Sequence, residues 1–259
     1  MNYPIYPDKY KLPEMVTAQA MVEFRRRHSG LGDLQAPHGL VLCLYNGLMK
    51  RFTWRYPSQH IRSFQCDLYL LRATGKKVGV VSNFGMGAPA LVSLAEQMIA
   101  WGTRQFIILS LAGGLQPDLE AGSVVVCNRA IRDEGTSYHY LPPAQQVEAT
   151  PTLAFSIQGA LEKHHLHSQL GTTWSTDAVY RETQQEADHF QRMGVETVDM
   201  ESAGLFALGQ MRGVETASVF VVGGRLTSSG WTLPGDVYAL HQRFKSLLEV
   251  LLSALKVDG

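Results

Sequence analysis

Asp199-Met200-Glu201 sets two carboxylates one methionine apart, where the apolar run ending at Val198 gives way to helix-spaced Ala203, Leu205, Phe206 and Leu208. A carboxylate has two acceptor oxygens and can take two adjacent hydroxyls as charge-assisted hydrogen bonds. Glu201 and Ser202 also suit a helix N-terminus, where acids are stabilised by the dipole. In extended backbone successive side chains alternate faces, so Asp199 points away from Met200 and is expected to be structural. A second feature is "NFGMGAPA", in which Gly85-x-Gly87-x-x-Ala90 formally matches the dinucleotide fingerprint. The following strand should then end near an acid for the ribose, but "QFIILSLAGGL" ends in Ser110, Leu111 and Ala112. What survives is a loop that lets a ligand approach backbone N–H groups at a helix start. A second glycine loop lies in "LAGGLQPDLEAGSVVV". Two such loops after successive strands place a crevice at the carboxyl ends of the sheet.

The elements that must position these residues alternate along the chain. "GLVLCLY", "KVGVVSNF", "QFIILSL", "SVVVCNRAI" and "ASVFVVGG" are short apolar runs that read as strands. They are nearly continuous in their hydrophobicity, as strands covered on both faces are. Between and after them "PALVSLAEQMIAWG", "PTLAFSIQGALEKHH" and "HQRFKSLLEVLLSALK" read as helices, and Val198 to Gln210 as a strand-to-helix switch. The first 35 or so residues read as an arm followed by the helix "PEMVTAQAMVEFRRRH". This is α/β with one core, and residues 1–259 are expected to form a single domain, since no repeat, low-complexity tract or linker divides them.

The 23 basic and 23 acidic side chains cancel, which argues against nucleic acid as a partner. Prolines and charges interrupt "MNYPIYPDKYKLPEM", and no run is long enough to span a bilayer. No membrane partner and a cytoplasmic location are therefore expected. Cys43, Cys66 and Cys127 are odd in number and far apart, which suits reduced core thiols. His164 to His167 sit at a helix C-terminal end, where cations are common, without a carboxylate or cysteine neighbour, so no metal is expected.

"GMGAPA", "LAGGLQPDLEAGSVVV…AIRDEGTSYHYLPP" and "VDMESAGLFAL", in this order and spacing, resemble the purine nucleoside phosphorylase and uridine phosphorylase superfamily, which includes methylthioadenosine nucleosidases. The likeness runs from about Gly79 to Gly224. It implies a three-layer α/β/α sandwich around a distorted mixed sheet, assembled as a homo-oligomer, hexamer or dimer. The implied reaction cleaves a nucleoside's N-glycosidic bond, with phosphate as co-substrate in the phosphorylases and water in the nucleosidases, and no other cofactor. Carried over residue by residue, the resemblance implies Glu201 as the ribose clamp, with Met200 and Met86 beside the sugar. Val179, Tyr180 and Val198 match the region of the base. Arg225 stands where uridine phosphorylases have an arginine and purine-specific members an aspartate, and is expected to stabilise charge on a departing pyrimidine.

The sequence also departs from the pattern. The arginine that holds phosphate in these phosphorylases is replaced by Ile108, and the serine or threonine three positions on by Leu111. The glutamate by which nucleosidases activate water has no counterpart in "CLYNGLMKRF". Gly47, Arg51, Arg132, Gly85 and Ser110 are the remaining candidates for an anion site. The uracil clamp of the family is not reproduced in "STDAVYRETQQEAD", where Gln184 or Gln185 could partly replace it. The expectation is a nucleoside phosphorylase, a pentosyltransferase that yields free base and ribose 1-phosphate, with a slight lean toward uridine-type pyrimidine nucleosides. A nucleosidase using water and a non-catalytic nucleoside-binding protein of the same fold are the alternatives.

Overall fold

A computed structural model describes residues 6–227, 230–232 and 235–255, and for Lys50 and Arg51 it describes the backbone only. The strands are β1 (Gly39–Cys43), β2 (Ser58–Ile61), β3 (Asp67–Leu71), β4 (Val78–Ser82), β5 (Gln105–Gly114), β6 (Val124–Asp133), β7 (Gln146–Glu148), β8 (Gln169–Thr176), β9 (Thr197–Asp199), β10 (Glu215–Thr227) and β11 (Gly230–Trp231). The helices are α1 (Ala18–His28), α2 (Phe52–Arg55), α3 (Ala88–Trp101), α4 (Pro151–Lys163), α5 (Gln184–Arg192), α6 (Ser202–Arg212) and α7 (Val237–Ala254). The N-terminal helix starts at Ala18 rather than at the proline of "PEMV", because Thr17 adopts extended backbone and its hydroxyl accepts from the Ala20 amide.

The strands are apolar on both faces because both are covered. Leu40 and Leu42 of β1 point to one side with Phe106 and Ile108 of β5, against Leu91, Ala95 and Met98 of α3 and Leu205 of α6. The alternate residues Val41, Cys43, Ile107 and Leu109 point to the other side, against Leu153 and Ile157 of α4 and Phe244 and Leu248 of α7. The result is the three-layer α/β/α arrangement around a mixed sheet that the sequence predicts.

Two features of the sheet create the site. First, β5 pairs parallel with β10, β10 antiparallel with β6, β6 parallel with β8, β8 parallel with β9, and β9 antiparallel with β5, so five strands close into a circuit. Register shifts at Val222/Gly224 and Cys127/Arg129 bend the long strands of this circuit. Second, β5 changes neighbours part-way along. Its residues Gln105 to Leu109 lie beside β1, while Gly113 and Gly114 lie beside β9. Between them Ser110, Leu111 and Ala112 keep only β10 as a strand partner among the described residues. A sheet that splits in this way leaves a crevice at its carboxyl edge.

Candidate active site

The turn from β9 into α6 is fixed by Asp199. Its Oδ2 accepts from the amides of Glu201 (3.1 Å) and Ser202 (2.8 Å), and its Oδ1 from the hydroxyls of Ser175 (2.6 Å) and Thr173 (3.3 Å). Ser175 Oγ in turn accepts from the Ala203 amide at 3.0 Å. These contacts satisfy the first amides of α6, which would otherwise be buried without partners. Asp199 thus serves the helix, and burial holds its carboxyl above the usual aspartate range.

Glu201 lies at the mouth of the crevice and is only 3% exposed. Its Oε1 accepts the amide of Gly87 at 2.7 Å and its Oε2 the amide of Met200 at 3.3 Å. Gly85 and Gly87 have φ of 94° and 89°, where a β-carbon is strained, so the first glycine loop takes a path that aims its last amide at Glu201. The two motifs come within reach because α6 crosses α3 at Gly204, where an added β-carbon would lie 2.8 Å from that of Ala88. The Gly87 amide is therefore taken by a protein carboxylate. Burial first, and the neighbouring Asp199 second, push the Glu201 carboxyl up to about 7, against the lowering effect of the two amides.

In front of Glu201 a cavity of about 880 Å³ opens onto the free stretch of β5. Of the residues singled out in the sequence, Gly85, Met86, Ser110, Val179, Val198, Met200 and Glu201 line it together. Others lie elsewhere. Tyr180 is 96% exposed and outside the lining, and the Arg225 guanidinium donates to the carbonyl of Pro117. Arg132 is buried, with its donors directed to Ser137, Leu141 and Pro142 and its guanidinium over the ring of Tyr138. Its charge is spent on holding its own loop. Gly47 is exposed beside Asn46, which does line the cavity, and the Arg51 side chain lies outside what the structure describes. Gln184 donates to Asp188 on the surface of α5.

The sequence reading overlooks Asn46, Asn83, Phe84, Glu182 and Trp231, all of which face the cavity. Glu182 had a local signal. Thr183 and Glu186 form a capping box that starts α5, which fixes the residue just before it at the end of a turn. Trp231 had none, since it belongs to a strand of two residues. The described lining carries three acids, Glu182, Asp199 and Glu201, and no lysine, arginine or histidine. Ile108 is fully buried beneath α3 and α6, while Leu111 lines the cavity and is 40% exposed. Of the two positions at which this sequence departs from the phosphate-binding pattern, only Leu111 reaches the cavity, and it brings no charge.

Residues 50–254 match the profile of the Phosphorylase superfamily, and the chain belongs to that family. The uridine phosphorylase of Treponema pallidum (strain Nichols) is 32% identical over 161 residues, which cover 57% of this chain and 61% of that protein. The match therefore spans about three-fifths of that relative's length. Among solved structures, a uridine phosphorylase from Vibrio fischeri ES114 superposes with a TM-score of 0.74 at 22% identity, covering 85% of this chain and 92% of that one. An AMP nucleosidase from Bacteroides thetaiotaomicron VPI-5482 superposes with a TM-score of 0.71 at 20% identity, covering 91% and 97%. These two likenesses establish the fold.

Proposed function

We propose that the cavity binds a nucleoside and that the chain cleaves its N-glycosidic bond. The observation that carries this reading is Glu201. It is a nearly buried carboxylate whose oxygens each take one backbone amide and retain further acceptor capacity, and it lines a cavity large enough to admit a nucleoside. The 2′ and 3′ hydroxyls of a pentose are the paired donors such a group fits. Met86 and Met200 supply apolar surface for the sugar.

In the reaction the C1′–N bond breaks and its electron pair leaves with the base, which takes up a proton. An oxygen nucleophile then bonds to C1′. Positive charge develops on the sugar ring, and the acidic lining stabilises it electrostatically.

Phosphate as the nucleophile is supported by the likeness to the uridine phosphorylase of Treponema pallidum, and under this first reading the chain is a pentosyltransferase. Water is the second reading, favoured by the absence of a cationic side chain in the described lining and by Ile108 and Leu111. A homo-oligomer, dimer or hexamer, belongs with the first reading, because a neighbouring copy could bring the missing cation. The slight lean toward pyrimidines rests on the resemblance to uridine phosphorylases, since Arg225 is engaged at Pro117. The purified protein is to be incubated with uridine, inosine, adenosine and cytidine, with and without phosphate, and free base followed by chromatography. Base release that depends on phosphate supports phosphorolysis, and equal release without it supports hydrolysis. Absence of release from every nucleoside overturns the catalytic reading.

A further inference from the structure

One corner of the cavity has no role in the reading above. The indole N–H of Trp231 donates to Oε2 of Glu182 at 3.2 Å, which ties the short strand β11 to the turn before α5. The benzo ring of Trp231 rests on Gly113. A β-carbon there would lie 1.6 Å from the indole Cη2, so the ring needs glycine beneath it. Next along, the carbonyl of Thr232 occupies the space of a side chain at Gly224, where a β-carbon would meet it at 1.8 Å. Gly113 near the end of β5 thus seats an aromatic ring against the cavity wall, and Gly224 of β10 admits the backbone that follows it. Gly113 is paired with Val198, three positions before Glu201, which puts this corner on the same wall as the sugar clamp.

Glu182 is half-buried and lines the cavity, and its Oε1 has no hydrogen-bond partner among the described residues. An ionised carboxylate accepts hydrogen bonds and donates none. Such a group next to an aromatic plane discriminates among bases by their hydrogen-bond polarity. Hypoxanthine, guanine and uracil present a ring N–H beside a carbonyl. Adenine and cytosine present at the same ring position an unprotonated nitrogen, whose lone pair the carboxylate repels.

We propose that Trp231 and Glu182 form the base-recognition corner of this site, with the indole as the stacking wall and Oε1 of Glu182 as the acceptor that selects keto bases over amino bases. This rests on the nucleoside reading of the cavity and adds the class of base to it. The selection follows the polarity of the ring nitrogen, so it applies within the purines and within the pyrimidines alike.

The test is calorimetric binding of inosine, adenosine, uridine and cytidine to the full chain, which requires no turnover. The wild type is expected to bind inosine over adenosine, and uridine over cytidine, by about tenfold, the range of a hydrogen bond to a charged group. In Glu182→Gln the amide oxygen stays on the Trp231 N–H and the NH2 group takes the place of Oε1, so both ratios are expected to shrink to within about threefold or to reverse. Trp231→Ala is expected to weaken all four by on the order of tenfold while keeping the ratios, and Trp231→Phe to recover most of the loss. Cooperative urea unfolding of each variant establishes that it is folded. Equal binding within each pair by the wild type, unchanged ratios in Glu182→Gln, or unchanged or tighter binding by Trp231→Ala overturns the proposal and leaves the nucleoside reading standing. Failure to bind any of the four, together with failure to release base, overturns both.

Discussion

The backbone amide of Gly87 donates to Oε1 of Glu201 at 2.7 Å and joins two motifs 114 residues apart. Each motif is ambiguous alone, one as a generic glycine turn and the other as an acid at a helix start. Joined, they orient one carboxylate at the edge of a cavity, and most of what can be tested about this protein concerns that group.

Removal of the Glu201 carboxylate is expected to abolish the sugar grip. Glu201→Ala should lower kcat/KM for base release on the order of 100-fold or more, from the loss of two charge-assisted hydrogen bonds. Glu201→Gln preserves shape and should lie between it and the wild type. The measurement is base release under subsaturating nucleoside, and a wild-type rate in Glu201→Ala would refute the assignment.

The pH dependence has a definite sign. Burial and Asp199 hold the Glu201 carboxyl at about 7, and the protonated form loses acceptor capacity toward the sugar hydroxyls. Nucleoside Kd should therefore fall as pH rises through about 7 and level off above it, and Glu201→Gln should flatten that step. Folding runs the opposite way. The folded group binds its proton more tightly than the ordinary value of 4.5, so its contribution to stability is complete below 4.5 and is lost as pH rises through about 7. Urea midpoints across this range, wild type minus Glu201→Gln, isolate that contribution.

Asp199 is expected to matter for stability before it matters for chemistry. Asp199→Ala would leave two hydroxyls and two helix amides without their acceptor in a buried turn. The expected loss is about 3 kcal/mol or more, read from urea denaturation, with Asp199→Asn retaining part of it.

Gly204→Ala tests whether the helix crossing sets the site. The new β-carbon would fall 2.8 Å from that of Ala88 and 3.2 Å from Cγ2 of Val92, so α3 and α6 must separate. A loss of about 1–3 kcal/mol in unfolding free energy is expected. Separation also draws Gly87 away from Glu201, so nucleoside affinity should fall under conditions where the variant remains fully folded.

The strands whose two faces are both covered were legible because their hydrophobicity is continuous: β1, β4, β5, β6 and β10 all follow from it. The strand β8 did not, because "QLGTTWST" carries Thr173 and Ser175 where a core strand usually carries apolar residues. Both hydroxyls bond to Asp199, a tertiary reason invisible in a local window. The edge strand β2, its neighbour β3 and the three-residue β7 lack a long apolar run for the same windows to detect. In the site, the acid and the glycine loop were readable from composition and order. The Arg225 and Tyr180 placements were carried by position alone, and position does not report that the guanidinium finds the Pro117 carbonyl first or that the tyrosine ring faces solvent. Trp231 escaped because its partners, Gly113 and Glu182, are 118 and 49 residues away and meet it only after the sheet has closed.

That closure has a mechanical result. In a circuit of β5, β10, β6, β8 and β9, no member can slide by one residue unless the other four slide with it, so the frame resists the slippage to which open sheets are prone. Amino-acid changes at the rim are thereby uncoupled from the integrity of the hoop.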